Sequence, residues 1–166
     1  RTDDLGEDLL GMLLRARDDE GQPMSPRQVR DEIITLLIAG HETVASALTW
    51  TWYLLAQNPV VREKLVNEVQ TVLGEREPAS ADLASLPYTA AVFEETLRLY
   101  PPAWLITRSA LEPDVVCGFD IPAGSLIILS PYVIQRQAQY WPDPEAFRPE
   151  RFLAGTDQDR PRYAYI

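Results

Sequence analysis

One long apolar stretch, within residues 25–59, dominates the hydrophobic pattern of the chain. Ser25 and Gln28 can form a capping box, and Pro26 suits the first helical position, so a helix is predicted to begin here. Proline disfavours a helical residue before it, which predicts the end at Asn58. The helix would be on the order of 50 Å long. Residues 33–55 are apolar on nearly every face, so we expect other protein to surround them.

The middle of this helix nevertheless carries polar residues, in the sequence Gly40-His41-Glu42-Thr43. A transmembrane span is disfavoured, because His41 and Glu42 at its centre would be costly to place in lipid. A zinc-protease helix is excluded, because position 45 of the H-E-x-x-H pattern is alanine and the chain has one histidine. Polar residues inside an apolar helix are therefore either a costly feature without a role or a functional site.

Apolar residues at helical spacing also occur in the sequence before and after the long helix. Leucines at positions 5, 9, 10, 13 and 14 predict a helix over residues 5–17. Residues 59–73 predict another helix, with Asn58 as its N-cap and Gly74 as its stop. We expect the charged residues of that helix, Glu68 among them, to face water.

The spacing of apolar residues changes near residue 100, from a helical pattern to short strand-like runs. A helix over residues 89–100 is expected to end at Pro101-Pro102, because proline breaks a helix. The runs that follow are short and rich in β-branched residues, which is typical of strands. We predict three strands, at residues 105–109, 114–117 and 126–129.

A proline-rich segment follows the strands. Prolines recur too often for helix or sheet over residues 142–149, yet Trp141, Phe147 and Phe152 need burial, which predicts a packed meander. Helices followed by a small sheet indicate a mainly α fold with small β-sheets (α+β). We interpret residues 1–166 as one partial domain, helical over about 5–100, with strands and the proline-rich meander over about 103–160.

Composition narrows the class of protein. The chain has 166 residues, enough for a sizeable core, and its 46% hydrophobic and 24% charged residues are ordinary for a globular protein. A net charge of −10 predicts no sequence-independent binding of nucleic acid. One cysteine excludes an intrachain disulfide. The chain begins without methionine and stops on an apolar run, so we expect it to be part of a longer protein.

Three charged residues are predicted to form a structural lock. Glu95 and Arg98 lie three residues apart on one helix face, where an exposed pair would contribute only about 0.3–0.5 kcal/mol. Their apolar neighbours indicate a buried face instead. Arg151 follows the proline-rich meander, and a carboxylate bridged by two guanidinium groups would join helix and meander. We assign these residues a scaffold role rather than a chemical one.

Three motifs occur in a specific order along the chain. They are Ala39-Gly40-His41-Glu42-Thr43, then Glu95-Thr96-Leu97-Arg98, then Pro149-Glu150-Arg151-Phe152. Each is weak alone, but the combination resembles the cytochrome P450 haem-thiolate monooxygenases. The resemblance covers nearly everything from Leu9 onward and corresponds to the central and later part of a full-length member.

The resemblance implies that the long helix crosses the distal face of a haem. Ala39 and Gly40 would lie against the porphyrin, where small residues permit close approach. Thr43 would bond to the Ala39 carbonyl, which would loosen the helix and form a groove for dioxygen and water. Glu42 and Thr43 would be the acid–alcohol pair that relays protons for O–O scission. The alternative for Thr43 is a back-bonded threonine without a catalytic role.

The resemblance gives roles to one further segment. Arg108 would pair with a haem propionate through its guanidinium group, the alternative being an exposed strand arginine. The four residues that would border the substrate are apolar, namely Ala103, Trp104, Leu105 and Ile106. They imply a hydrophobic substrate, although core packing would give the same pattern.

The chain also departs from the family pattern. The cysteine-ligand loop of the family, F-x-x-G-x-R-x-C-x-G, has no match, and residues 163–166 resemble the lead-in to it. We therefore expect no metal ligand in this chain and the thiolate beyond Ile166. Cys117 is interpreted as a buried apolar residue in a strand. Gln135-Arg136 stands where the family often has histidine-arginine, with expected structural consequences.

The resemblance implies a monooxygenase that inserts one oxygen atom of O2 into a hydrophobic substrate. Its cofactor would be haem, and NAD(P)H would act indirectly through a ferredoxin, a flavoprotein reductase or a fused reductase. Two alternatives stay open: a haem-thiolate isomerase or dehydratase without external electrons, and a non-enzymatic helical interaction module. The acidic balance favours a cytoplasmic, bacterial-type enzyme, while a membrane anchor before Arg1 stays open.

Overall fold

The computed structural model describes residues 6–155 and 160–166. Its helices are α1 (Leu9–Arg15), α2 (Pro26–Gln57), α3 (Pro59–Leu73), α4 (Pro87–Leu99) and α5 (Pro131–Ile134). Its strands are β1 (Ile106–Ser109), β2 (Asp114–Val116), β3 (Phe119–Ile121) and β4 (Leu126–Leu129). Two 3₁₀ turns span Ser80–Ser85 and Pro149–Phe152. The prediction of a mainly α fold with small sheets is confirmed.

The predicted long helix is present as α2. Its N-terminus has the expected capping box, because the Ser25 amide donates to Gln28 Oε1 at 2.8 Å and the Gln28 amide donates to Ser25 Oγ at 3.3 Å. At its end Asn58 departs from the prediction. The Asn58 side chain donates to the Leu54 carbonyl at 2.8 Å and makes no capping bond to α3. Asn58 therefore caps the C-terminal end of α2 rather than the N-terminal end of α3. The last carbonyls of a helix lack partners within it, just as the first amides of the next helix do.

The chain divides into two compact units at a boundary inside α2, after Ala45. The first unit contains α1, which begins at Leu9 rather than at residue 5. Leu5 itself lies outside the described residues. Asp8 caps α1 by accepting the Gly11 amide at 2.8 Å. A Cβ atom on Gly11 would lie 1.9 Å from the Gly6 carbonyl oxygen, so the chain entering α1 requires glycine here.

Two antiparallel strand pairs lie in the second unit. Strand β1 pairs with β4, and β2 pairs with β3 through a two-residue turn at Cys117-Gly118. Both turn residues have positive φ, 51° and 85°, as the twist of a tight hairpin requires. The interpretation of Cys117 as a buried strand residue is therefore wrong. It lies at an exposed hairpin turn, and β3 follows it as a strand that was not predicted.

The core of the second unit is built around α4. Its Ala91, Val92 and Leu99 are at most 2% exposed, and so is Trp141 from the proline-rich meander. The meander is therefore packed, as expected. Helix α4 begins at Pro87, two residues earlier than predicted, because proline suits the first helical turn.

The N-terminus of α4 is capped from α3 by Glu68. Its carboxylate accepts the Tyr88 and Thr89 amides, both at 2.7 Å, and the Thr89 hydroxyl at 2.8 Å. The prediction that Glu68 faces water is therefore wrong. Leu86 occupies the N-cap position and has no side-chain acceptor, so the unpaired amides and the positive helix end favour a carboxylate from another helix.

Most of the apolar surface of α2 is exposed among the described residues, whereas the sequence predicted that other protein would surround it. Residues 34–45 are all exposed, and the buried positions are Val29, Ala47, Thr51, Leu54 and Leu55. Among the described residues, α2 is the helix that is long and apolar enough to cross a membrane, with 6% of its apolar window buried. Exposed apolar surface of this extent is unusual for a globular protein.

Candidate functional site

The polar residues of α2 form one exposed surface on the first unit. The Thr43 hydroxyl donates to the Ala39 carbonyl at 2.7 Å, which is the bond expected from the sequence. The same bond is made by Thr35 to Asp31 and by Thr51 to Ala47, both at 2.8 Å. Helix α2 continues without a break through this point, so the bond is not accompanied by the expected loosening. The bond alone is therefore ordinary threonine behaviour.

Gly40 is the residue of this surface that local contacts do not explain. Among the described residues, nothing lies within 4 Å of the place where a Cβ atom would stand. Glycine inside a helix costs about 1 kcal/mol relative to alanine. No contact of the described residues recovers that cost, so a ligand that approaches the backbone closely would explain the glycine. Open space beside a residue without a side chain is what a flat macrocycle would need in order to approach the helix.

The acid of the predicted pair lies next to Thr43 along α2. Glu42 and His41 are exposed, as are Ala39 and Thr43. Successive helix residues point about 100° apart, so the Glu42 carboxylate and the Thr43 hydroxyl leave the helix on adjacent sides. Both groups are accessible to a ligand or to water on the surface of the first unit.

Arg108 lies in the second unit, on β1, opposite Ile127 of β4. Its side chain is exposed, and one guanidinium nitrogen donates to the Thr107 carbonyl at 2.8 Å. No carboxylate of the described residues lies within 4.0 Å of it, unlike the arginines of the scaffold. An exposed guanidinium fork without a protein anion suits an anionic ligand group such as a propionate.

The predicted substrate-bordering residues lie in the chain that leads into β1. Trp104 is 59% exposed and Leu105 38%, Ala103 is exposed, and Ile106 is half-buried. The Ser130 hydroxyl donates to the Trp104 carbonyl at 3.0 Å and holds this segment in place. Among the described residues, this segment is not part of the core.

The predicted lock residues Glu95 and Arg98 are in contact and are both 0% exposed. Arg98 Nε donates to Glu95 Oε2 at 2.6 Å and Nη2 donates to Oε1 at 2.9 Å, which is a bidentate pair. The Arg98 guanidinium also lies 4.9 Å from the ring centre of Trp141. A buried pair of this kind is satisfied only with further hydrogen bonds.

Those further bonds come from backbone groups of Gln135, just after α5, and of the meander, and sequence reasoning did not find them. Arg98 donates to the carbonyls of Gln135 and Pro144, both at 2.8 Å, and to that of Ala146 at 3.2 Å. The Arg148 amide donates to Glu95 at 2.9 Å. Backbone groups leave no signature in side-chain patterns, so no local signal could have identified them.

Arg151 completes the group from the 3₁₀ turn Pro149–Phe152. Its Nε lies 3.4 Å from Glu95 Oε1, and its Nη2 donates to the Asp143 carbonyl at 2.8 Å. Burial lowers the pKa of Arg151, an effect that the nearby Glu95 carboxylate opposes. The structure thus brings together the three residues that the sequence assigned to a lock between helix and meander.

Comparison with known proteins decides the family. The sequence profile of the cytochrome P450 family matches residues 3–166. The chain belongs to this family. It is 45% identical over 160 residues to cyclooctatin synthase of Streptomyces melanosporofaciens, an alignment that covers 96% of this chain and 35% of that protein. It is 40% identical over 159 residues to human cytochrome P450 4V2, covering 95% of this chain and 30% of that protein.

A solved P450 structure has the same fold. Cyanobacterial CYP120A1 with bound retinoic acid superposes with a TM-score of 0.92 at 36% identity, over 98% of this chain and 38% of that one. The chain spans about a third of the length of the P450 relatives it matches. Within the described residues, the α2 surface belongs to the first unit and Arg108 of β1 to the second.

Proposed function

We propose that this chain is part of a haem-dependent monooxygenase that inserts one oxygen atom of O2 into a hydrophobic organic substrate. It would be an oxidoreductase that acts on paired donors with incorporation of molecular oxygen. Membership of the P450 family supports the class. The observation that carries the proposal is the glycine at position 40. No contact of the described residues requires a glycine there, and the exposed Thr43 hydroxyl lies about one turn further along α2. Haem supplies the oxygen-activating redox chemistry when it is bound.

The residues of α2 would place and protonate the reacting groups. Ala39 and Gly40 leave room for a macrocycle to approach the helix backbone. The Thr43 hydroxyl donates its hydrogen to the Ala39 carbonyl, so its oxygen lone pairs are free to accept a hydrogen bond from a water molecule and to hold that water at the helix. Glu42, the neighbouring acid, would give a proton to this water as the water passes one on, and would regain a proton from solvent. The two side chains together would move protons inward without admitting bulk water.

Arg108 would hold an anionic edge of the cofactor. In the full-length protein, Arg108→Leu is expected to speed haem loss by roughly tenfold or more, because a charge-assisted hydrogen bond to a propionate disappears. Transfer of haem to an acceptor apoprotein measures this rate. Arg62→Leu is the matched control, since Arg62 is an exposed arginine on α3. Equal rates for wild type and both variants would remove Arg108 from the cofactor site.

The substrate is proposed to be hydrophobic. The exposed apolar residues 103–106 support this, and so does retinoic acid, a largely apolar molecule, in the related cyanobacterial protein. Electrons would come from NAD(P)H through a ferredoxin, a flavoprotein reductase or a fused reductase. A haem isomerase would need neither these electrons nor a proton relay, so Glu42 and Thr43 favour the monooxygenase.

Isotope labelling tests the reaction class. The full-length protein, supplied with a reductase system, NAD(P)H, ¹⁸O2 and retinoic acid as the probe, is expected to form product with one ¹⁸O atom. Product formation should require NAD(P)H. A rearranged product without ¹⁸O and without NAD(P)H consumption would show an isomerase or dehydratase. Because the probe is chosen from a relative, a panel of apolar acids and hydrocarbons completes the test.

The same proposal accounts for the exposed side of α2. We propose that residues 1–166 form one part of a P450 domain, whose remainder covers α2 and supplies the thiolate ligand, so that the chain alone is inactive. We propose a cytoplasmic, bacterial-type enzyme, in line with its acidic balance and its similarity to a Streptomyces protein. Recovery of the full-length protein with the membrane fraction would contradict this location.

A further inference from the structure

Gln135 is a fully buried polar residue that neither the lock prediction nor the proposed reaction uses. It follows α5 and is 0% exposed. Its side-chain amide nitrogen donates to the carbonyls of Leu97 and Arg98 at 3.2 and 3.0 Å. Its amide oxygen accepts the backbone N–H of Ile166 at 2.9 Å. One side chain thus joins the C-terminal end of α4 to the backbone at residue 166.

These three bonds fix the orientation of the amide. Rotating it by half a turn would place the oxygen against the Leu97 and Arg98 carbonyls and the NH2 group against the Ile166 N–H. Both contacts would be repulsive, and buried polar groups without partners are costly. Arg98 strengthens the arrangement, because its guanidinium donates back to the Gln135 carbonyl at 2.8 Å. Backbone and side chain of Gln135 are therefore both held against α4.

Two other contacts hold the same terminal segment, residues 164–166. The Trp141 indole N–H donates to the Ala164 carbonyl at 3.1 Å, and the Tyr165 hydroxyl donates to Glu94 Oε2 at 2.5 Å. Both partners lie on the meander or on α4, so three side chains attach this segment to the core. Trp141 also binds a backbone group, but Gln135 binds the backbone N–H of Ile166, two residues further along the chain and next to whatever follows it.

We propose that Gln135 is a positioning residue that fixes the backbone at Ile166 relative to α4. It thereby orients the segment beyond residue 166, where the proposed function expects the thiolate ligand. This inference rests on that proposed function for its consequence at haem, but the contact between Gln135 and Ile166 stands on the distances alone. A metal ligand depends on such supporting contacts, because they set its geometry and strength.

The chemistry of the amide explains why glutamine suits this position. A neutral imidazole has one donor and one acceptor, so histidine could accept from Ile166 and donate to one of the two carbonyls. Glutamine satisfies all three groups, and its hydrogen bonding does not change with pH. Methionine has the same unbranched shape but offers no comparable donor or acceptor. These differences define the variants that separate positioning from simple packing.

The experiment uses the full-length haem protein with the substitutions Gln135→Met and Gln135→His. Gln135→Met is expected to raise the hydrogen-exchange rate of the Ile166 amide by roughly tenfold or more, because a buried hydrogen bond is lost. It is also expected to convert part of the ferrous–CO absorption from the thiolate-bound band to the thiolate-lost band. Gln135→His is expected to keep Ile166 protection and the thiolate-bound band largely intact.

Gln139→Met is the matched control, because Gln139 is exposed and its amide donates to the Gln137 side chain at 2.8 Å rather than to the core. It should change neither readout. If Gln135→Met does not fold, Ile166→Pro replaces it, since proline removes the accepted N–H without altering the core. The CO band of Ile166→Pro should then resemble that expected for Gln135→Met, and adding Gln135→His should cause no further loss.

Wild-type exchange and an unchanged CO band in a folded Gln135→Met variant would overturn the proposal. Equal acceleration of all α4 amides would also overturn it, because that result indicates general destabilisation. Absence of a thiolate-bound band in the wild type would instead refute the proposed function. The Ile166 exchange rate would still decide the role of Gln135 in that case, so the two failures are distinguishable.

Discussion

Replacing Arg98 by alanine in the full-length protein is expected to lower the free energy of unfolding by about 3–5 kcal/mol. The change would leave the Glu95 carboxylate fully buried, with Arg151 at 3.4 Å as its remaining cationic partner. The backbone carbonyls of Gln135, Pro144 and Ala146 would lose their donor at the same time. Urea denaturation, followed by the fluorescence of the buried Trp141 and the other tryptophans, measures the loss.

Arg98→Lys separates charge from geometry in the same assay. Lysine keeps the positive charge but loses the planar fork that reaches both Glu95 oxygens, so most of the destabilisation should remain. Arg27→Ala is the control, because Arg27 pairs with Asp31 at 3.7 Å on an exposed helix face, where little stability is at stake. A loss for Arg98→Ala no larger than that for Arg27→Ala would refute the lock.

Replacing Thr43 by alanine is expected to uncouple electron use from product formation. Without the hydroxyl, protons would reach the reacting oxygen less directly, and the share of NAD(P)H electrons recovered in product should fall by roughly tenfold or more. Fold stability should change little, because Thr43 is exposed and its hydroxyl bonds to its own helix. The measurement is product formed per NAD(P)H consumed, with hydrogen peroxide determined alongside.

Thr35→Ala is a closely matched control for this experiment. Thr35 lies on the same helix, is exposed, and makes the same back-bond, to Asp31 at 2.8 Å. Any effect of removing a threonine back-bond from α2 should therefore appear in both variants. Uncoupling in the Thr43 variant alone would support the relay. Equal effects in both, or unchanged coupling in the Thr43 variant, would mean that Thr43 is a back-bonded threonine without a catalytic role.

Local sequence signals determined the helical framework of this protein. The capping box at Ser25, the proline at position 59 and the glycine at position 74 act within one turn, so α2 and α3 begin and end as predicted. The family followed from motif order in the same way. Cys117 shows the limit of such signals, because a run of valines predicted a longer strand where a left-handed two-residue turn reverses the chain.

Long-range contacts were decided only by the tertiary structure. The sequence indicated that Glu95, Arg98 and Arg151 belong together, because charges among apolar residues need partners. It did not indicate that Glu68 caps α4, or that Gln135 bonds to Ile166 across 31 residues. Such contacts use backbone groups, which every residue carries, so the pattern of side chains holds no record of them. Only the folded chain shows which amide faces which carboxylate or amide oxygen.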